Sequence, residues 1–280
     1  MHQLCPLRKE LTVMSKIKSL KYFECGYCVN QESMIFKGVS KKELLFPAGV
    51  FLIEHEDLGY ILYDTGYALD VASSKKLKYL LYRLPNPIHL KREDCIDRQL
   101  EKLDIKVSQI NHIMISHLHP DHIGSLKLFP NASFYLSRKA YDSYKQPKFR
   151  ELIFREYFPE DFDKCLQVLD FPTVSSLLPE QKCLDFLMDG SIIAYSLDGH
   201  ARGQLCLHLP DQKLFLAADT VWRTDMLDKI DRMRTIPRLI QSDFKAYQSS
   251  IEILKEIQKQ GIEVLVSHED PEKIRRILHE

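Results

Sequence analysis

The chain has 280 residues, of which 45% are hydrophobic, so it is long and apolar enough to bury a large core. Lysine plus arginine equals aspartate plus glutamate at 39 each, and this zero balance gives no overall field that favours nucleic acid or membrane as a partner. No apolar run approaches the roughly 20 residues of a membrane-spanning helix, and the N-terminus lacks the apolar core of a secretory signal. We therefore expect a cytoplasmic protein without a membrane or nucleic-acid partner.

Seven cysteines are scattered along the chain, and an odd number suits reduced thiols better than a disulfide framework. Cys25 and Cys28 have the spacing of a redox or zinc-finger pair. They lack a second pair, and their flanks indicate a strand and a turn, so we favour a structural role over a functional one.

Predicted elements begin near Ile17, after an extension at residues 1–16 that we expect to be flexible. Alternating apolar residues predict a hairpin whose tight turn lies at 56–59. A helix and a buried strand then lead to a histidine-rich segment. In chain order the first half contains strands at 46–54, 60–63, 110–115 and 133–136 and a helix at 95–103.

The amino-acid composition changes at 138–187. This segment is rich in tyrosine, phenylalanine, lysine and glutamate and is interrupted by prolines. This composition predicts short helices that cap the main body. Most of its aromatic side chains are expected in the core, although such a cap could also supply an apolar wall for a substrate. The second half then has strands at 191–197, 204–209, 213–218 and 262–267 and helices at 243–260 and from Pro271, and we expect one domain over 17–280.

The segment Ser116 to Gly124 carries three histidines and an aspartate directly after an apolar strand. Imidazole nitrogen and carboxylate oxygen are ligands that borderline divalent ions such as zinc prefer. The set contains no cysteine, which is typical of a catalytic site rather than a structural one. Loops at strand ends are also common places for binding residues.

Metal-type ligands follow three further apolar strands. These are His200, Asp219 and His268, each placed where a predicted strand ends. Four strand ends that present such ligands are the arrangement expected when two sheets converge on one pocket.

In this order the residues resemble the signature of the metallo-β-lactamase superfamily, His-x-His-x-Asp-His followed by a distant His, a bridging Asp and a final His. The resemblance covers about 17–280 and includes Asp64-Thr65-Gly66, which supports the site in that family. It implies an α/β fold, a four-layer αββα sandwich with a dinuclear site at one edge between the sheets. By the same resemblance one metal is held by His117, His119 and His200 and the other by Asp121, His122 and His268, with Asp219 as the bridge.

The branch that the chain resembles most is the N-acyl homoserine lactonase-like one, on the segments 199–204 and 267–270. Asp121 beside His122, with Asp219 as a bridge, is similar to the binuclear hydrolases rather than to the antibiotic-degrading enzymes. Lactonases of this branch usually carry a tyrosine three residues after the bridging aspartate, but this chain has Trp222. Because an indole can donate a hydrogen bond but cannot accept a proton, Trp222 is either a substrate contact or a packing residue.

Two metal ions about 3.5–4 Å apart lower the pKa of a shared water, so hydroxide becomes available to attack the carbonyl of a lactone or carboxylic ester. Asp121 and Asp219 are the catalytic candidates beside Trp222, and Asp121 could move the proton or serve only as a ligand. Asp64 is the expected carboxylate partner of a ligating histidine. We expect two divalent ions, zinc in first place with manganese, iron or cobalt as alternatives. The expected partner is a small ester or lactone, and the expected assembly is a monomer or homodimer.

Other functions share the same ligands. A glyoxalase II-like thioesterase would need basic residues for a glutathione carboxylate, for which Arg202, Arg223 and Lys273 are loose candidates. A phosphodiesterase would call for a basic groove, which the neutral charge balance disfavours. A non-catalytic metal-binding protein tends to lose ligands, and none is missing here.

Overall fold

The computed structural model describes residues 15–148 and 151–279. The extension predicted at 1–16 lies outside the described residues except for its last two positions. Two β-sheets lie face to face, with helices on both outer faces. Within the described part of the chain, no helix is both long and apolar enough to cross a membrane.

The first sheet has seven strands in the order β4-β1-β2-β3-β5-β6-β7. The predicted hairpin is confirmed as the antiparallel pair β2 and β3. From β3 to β7 the neighbours run parallel, so the carboxyl ends of β3 and β5 meet at one edge of the sheet. The strands are β1 (Ile17–Gln31), β2 (Glu43–His55), β3 (Gly59–Tyr63), β4 (Ile88–His89), β5 (Ile110–Met114), β6 (Ser133–Ser137) and β7 (Leu166–Leu169).

The second sheet has six strands in the order β13-β12-β11-β10-β9-β8. Only the pair β12 and β13 is parallel among them. The strands are β8 (Thr173–Val174), β9 (Lys182–Asp185), β10 (Ile193–Leu197), β11 (Gln204–Leu209), β12 (Leu214–Leu216) and β13 (Glu263–Leu265).

Ten α-helices occur in the described residues, and a 3₁₀ segment spans Thr224–Arg232. The longest helix is α9, which begins after Asp243, whose carboxylate accepts from two backbone N–H groups of the first turn. The helices are α1 (Glu32–Ile35), α2 (Leu69–Ser73), α3 (Leu77–Arg83), α4 (Ile96–Glu101), α5 (Pro120–Ile123), α6 (Arg138–Lys145), α7 (Phe162–Cys165), α8 (Thr235–Ile240), α9 (Phe244–Lys259) and α10 (Pro271–Leu278).

Three separate apolar cores show the four layers. In β2, Phe51 and Ile53 face the second sheet, while Val50 and Leu52 face the helices on the outer side of the first. In β11, Cys206 faces the third core, which packs against α9. Alternate strand residues therefore point to opposite faces of a sheet that is buried on both sides, and the predicted αββα sandwich is confirmed.

The segment predicted as a helical cap at 138–187 differs from that prediction in its second half. It is helical in α6 and α7, but β7 then joins the first sheet and β8 and β9 join the second. These strands have two to four residues each, too few to show a period of two in the sequence. Most aromatic side chains of the segment lie in the core beneath the helices, including Phe154, Tyr157, Phe158 and Phe162.

The long strand β1 contains both residues of the Cys25 and Cys28 pair. A register shift between Glu24 and Tyr27 accompanies Gly26, whose φ is +84°. Cys25 lies in the core beneath the outer helices of the first sheet, whereas Cys28 packs against the core that contains α9, so the two side chains belong to different cores. Both are free, Cys25 is fully buried, and burial raises the pKa of Cys28 to about 12. Neither belongs to a metal-type cluster of the described residues, and their structural role stays a prediction.

Candidate metal centre

The histidine-rich motif occupies the loop and the short helix that follow β5. Pro120 begins α5, where its fixed φ suits the first helical position. Asp121 and His122 lie in that first turn, and His117 and His119 lie in the loop before it. All four side chains except that of His119 are buried.

Three imidazoles form a first cluster, called site A, which consists of His117, His119 and His200. Nδ1 of His119 lies 3.0 Å from Nε2 of His117 and 3.0 Å from Nε2 of His200. His200 follows β10 of the second sheet, so the cluster joins side chains from both sheets. Three ring nitrogens that face one another this closely form the donor set of a metal site.

Site B consists of Asp121, His122, Asp219 and His268, which follow β5, β12 and β13. Nε2 of His268 lies 2.9 Å from Oδ2 of Asp219 and 3.5 Å from Oδ2 of Asp121. Nε2 of His122 lies 3.4 Å from Oδ1 of Asp219. The ligand-type atoms of each site lie within 4.8 Å of one another.

Asp219 lies between the two sites. Its Oδ2 is 3.4 Å from Nε2 of His200 in site A, while its Oδ1 faces His122 in site B. Two buried atoms, Nε2 of His122 and Oδ1 of Asp219, have no hydrogen-bond partner among the described residues. Buried polar atoms are normally paired, so these orphan atoms fit a cation held between them. The cluster therefore fits a divalent-metal site.

The histidines of site A are neutral. Burial lowers the pKa of His119 to about 3 and, with neighbouring histidines, moves the pKa of His117 well below its ordinary value. Burial also lowers the pKa of His200. A neutral imidazole keeps the lone pair that a metal ion requires.

The charges of site B stabilise one another. Burial alone lowers the pKa of His122, but the carboxylates of Asp121, Asp219 and Asp64 outweigh it and raise that pKa well above its ordinary value. Burial alone raises the pKa of Asp219, but His268 and His122 hold it well below the usual range. The carboxylates are therefore ionised and able to act as ligands.

A chain of hydrogen bonds through Asp64 and Ser116 orients the rings of His117 and His122. Asp64, placed at the end of β3 with φ of +67°, accepts from Nδ1 of His122 at 2.8 Å and from the Ser116 hydroxyl at 2.6 Å. Since the Ser116 proton points to Asp64, the Ser116 oxygen is free to accept from Nδ1 of His117 at 3.0 Å. Both rings thus direct Nε2 into the centre, and Asp64 is the carboxylate partner that the sequence predicted.

Two further rings are oriented by acceptors that the sequence did not reveal. Nδ1 of His200 lies 2.9 Å from the Gln241 side-chain oxygen, and Nδ1 of His268 lies 2.6 Å from the Pro47 carbonyl. A carbonyl oxygen can only accept, so each ring carries a proton on Nδ1 and directs its Nε2 atom toward the centre. No sequence motif marks Gln241 or Pro47, because each becomes a neighbour only through the fold.

Trp222 lies beside site A as an aromatic wall. Its ring meets those of Phe46 and His200 edge to face, with centroids 6.4 and 6.3 Å away. Its indole N–H makes no hydrogen bond within the described residues, and the choice between a substrate contact and a packing residue stays a prediction.

Sequence reasoning also missed Tyr82, whose hydroxyl donates to Oδ1 of Asp121 at 3.3 Å. The surrounding lysines, Lys75, Lys76 and Lys78, indicated a solvated helix face. They are exposed, but Tyr79 and Tyr82 on the other side of α3 face the body of the protein.

A cavity of about 320 Å³ opens against the three histidines of site A. Its walls come from α6 and from the loop between α8 and α9, and they include Ile153, Arg202 and Ile240. A small molecule placed there would reach the ligand atoms directly.

The sequence profile of the Metallo-beta-lactamase superfamily matches residues 45–268, which include all seven residues of the two sites. The chain belongs to the metallo-β-lactamase superfamily. Membership and the buried histidine and aspartate centre together make it a metal-dependent hydrolase.

Relatives within the superfamily agree in size and shape. N-acyl homoserine lactonase AttM of Rhizobium radiobacter is 26% identical over 230 residues, which make up 81% of this chain and 82% of AttM. A mutant of AiiA from B. thuringiensis, solved with N-decanoyl-L-homoserine at its active site, matches 92% of this chain and 96% of its own with a TM-score of 0.70 at 20% identity. The dizinc quorum-quenching lactonase AidC, solved with a product, matches 92% of each chain with a TM-score of 0.65 at 16% identity.

Proposed function

We propose that the chain is a binuclear hydrolase that opens lactones or cleaves carboxylic esters in the manner of the N-acyl homoserine lactonases. The observation that carries the proposal is the placement of Asp219, whose two oxygens face a histidine of site A and a histidine of site B. One carboxylate shared by two neighbouring clusters is the arrangement that two adjacent cations need.

Site A would hold one ion through His117, His119 and His200, and site B the other through Asp121, His122 and His268, with Asp219 shared. Zinc suits this set of nitrogen and oxygen ligands, and manganese, iron or cobalt are the alternatives. When bound, such ions act as Lewis acids on a carbonyl oxygen and make water acidic enough to ionise near neutral pH. The dizinc lactonase among the structural relatives supports the count of two.

In this proposal Asp121 accepts the proton that hydrolysis releases. Its Oδ2 lies 3.5 Å from the ring nitrogens of both His122 and His268, whereas its Oδ1 lies toward Tyr82. The imidazoles of these histidines outweigh the effect of burial and lower its pKa, so the carboxylate is ionised, and Oδ1 is the oxygen that points away from those two rings.

The lactone or ester class rests on the relatives and on the lining of the site. AttM is an N-acyl homoserine lactonase, and the AiiA mutant holds an acyl homoserine. The cavity beside site A has Leu118, Ile153 and Ile240 among its lining residues, and these apolar side chains suit an acyl chain.

The thioesterase alternative finds little support in the basic residues it would use. Arg223 lies 3.3 Å from Asp225, and Lys273 lies 3.0 Å from Glu269. Arg202 alone of the three candidates lines the cavity.

The cytoplasmic location, the monomer or homodimer and the lack of a nucleic-acid partner stay predictions from the sequence.

The test is a hydrolysis panel on zinc-reconstituted protein, containing acyl homoserine lactones, aryl esters, S-lactoylglutathione and bis(p-nitrophenyl) phosphate. We expect kcat/KM to be highest for a lactone or an ester. Asp219→Ala should abolish turnover, whereas Asp228→Ala, which removes a carboxylate that is 92% exposed, should not change it. A preference for the thioester or the phosphodiester would overturn the proposed substrate class.

A further inference from the structure

The hydroxyl that Trp222 cannot supply is present in this centre, but it comes from a different element. Tyr82 of α3 directs its hydroxyl at Asp121, while the ring of Trp222 contacts that of His200 edge to face, on the side of site A. We propose that Tyr82 is a positioning residue that assigns the two oxygens of Asp121 to different tasks, an inference that rests on the proposed binuclear hydrolase.

The contacts of Asp121 divide between its oxygens. Oδ2 lies 3.5 Å from Nε2 of His122 and 3.5 Å from Nε2 of His268, within the ligand atoms of site B. Oδ1 accepts from Tyr82. A hydrogen bond at Oδ1 favours cation binding through Oδ2 alone, and it leaves the second lone pair of Oδ1 able to accept a proton.

The side chain of Tyr82 is held in place by the cap. Its ring meets that of Phe154 edge to face, with centroids 5.8 Å apart. Arg83 anchors the end of α3 by donating to the carbonyls of Val71 at 2.8 Å and Ser74 at 2.7 Å. Since the helix and the ring are both fixed, the hydroxyl reaches Asp121 from a defined direction rather than from a mobile surface side chain.

Tyr79 provides a matched control in the same helix. Its hydroxyl lies 2.9 Å from a carboxylate oxygen of Asp70 and 2.6 Å from one of Glu156, and within the described residues it makes no hydrogen bond to either metal-type cluster. Tyr79→Phe therefore removes a hydrogen-bonded hydroxyl from the same helix, but it keeps the hydrogen bond between Tyr82 and Asp121. An effect of Tyr82→Phe that Tyr79→Phe does not reproduce belongs to that hydrogen bond.

The experiment compares wild type, Tyr82→Phe and Tyr79→Phe after removal of metal, with Co²⁺ titration followed by the visible absorption bands of the bound ion. We expect Tyr82→Phe to weaken the second Co²⁺ by about tenfold, the low end for loss of a group behind a ligand because the 3.3 Å bond is long, and to change the band intensities. Tyr79→Phe should leave both the affinity and the bands as in wild type.

Kinetics on the best lactone or ester give a second readout. Tyr82→Phe should lower kcat and leave KM near the wild-type value, because the hydroxyl orients the proton acceptor rather than the substrate. Equal Co²⁺ affinity and equal bands in wild type and Tyr82→Phe would overturn the inference, and so would the same loss in Tyr79→Phe.

The Co²⁺ titration separates this inference from the proposed function. If wild type turns over no lactone or ester but Tyr82→Phe still weakens the second ion, the proposed substrate class fails and the role of Tyr82 stands. If wild type is an active lactonase and the two proteins bind Co²⁺ alike, only the role of Tyr82 fails.

Discussion

At the residue scale, the centre is defined by where each imidazole keeps its proton. The Nδ1 atoms of His122 and His200 face Asp64 and Gln241, so their Nε2 atoms are directed at the cations that the sites would hold. The sequence could predict the seven ligand-type residues because their spacing and order are a recognisable pattern. It could not predict Gln241 or Tyr82, whose roles arise only from proximity in the fold.

Removing one of these acceptors should weaken site A specifically. Gln241→Leu leaves the Nδ1 proton of His200 without its acceptor, so we expect the affinity for the first metal ion to fall by about tenfold. Competition with a chromophoric chelator measures this affinity. Gln248→Leu, which removes a partly exposed amide of α9, is the control, and equal affinities in the two variants would contradict the role of Gln241.

At the element scale, the turn after β3 supports the motif loop. Asp64 and Gly66 have φ of +67° and +69°, and this tight path turns the Asp64 carboxylate beneath Ser116 and His122. The sequence singled out Asp64-Thr65-Gly66 through the resemblance. It did not predict most of β1, because the strand alternates charged and apolar residues irregularly around its bulge.

A side chain at Gly66 should disrupt this turn. A Cβ there would lie 2.1 Å from Cβ of Cys25, whereas a Cβ at Gly59, which has nearly the same φ of +68°, would meet nothing within 4 Å. Gly59→Ala should cost about 1 kcal/mol of unfolding free energy from backbone strain, and Gly66→Ala should cost about 2 kcal/mol more because of the clash. Urea unfolding of the metal-free proteins tests this. Equal losses of unfolding free energy in the two variants would contradict the prediction, because they would show that the turn at Gly66 shifts to accommodate the added methyl group without further cost.

At the scale of the whole molecule, the two sheets bring metal-type side chains together from strand ends that lie far apart in sequence. The first sheet contributes the motif after β5, and the second contributes His200, Asp219 and His268 after β10, β12 and β13. Apolar alternation predicted most of these strands. The way they pair into four layers followed from the resemblance, since periodicity in one strand does not say which strand lies beside it.

Stability of the whole molecule should fall as the solution is acidified, in part through His208. This residue of β11 is buried against Phe215, and burial lowers its pKa to about 4. In the unfolded chain His208 has an ordinary pKa near 6.5, so the unfolded state takes up a proton at a higher pH than the folded state does. Protonation therefore stabilises the unfolded state, and the free energy of unfolding falls as pH drops from about 6.5 to 4.

His208→Leu removes this dependence. Between pH 8 and pH 5 the free energy of unfolding of the metal-free variant should fall by about 1 kcal/mol less than that of the wild type. Urea unfolding at the two pH values measures the difference. Parallel losses in both proteins would mean that His208 accepts a proton in the folded state without cost.

The central claim is that seven residues hold two divalent ions that are both needed for hydrolysis. The most direct test is to titrate metal-free protein with Zn²⁺ while measuring turnover of the best lactone or ester, with bound metal determined by mass spectrometry. We predict that activity rises until two ions are bound per chain and then stays constant. Full activity at one ion per chain, or turnover by the metal-free protein, would contradict the claim.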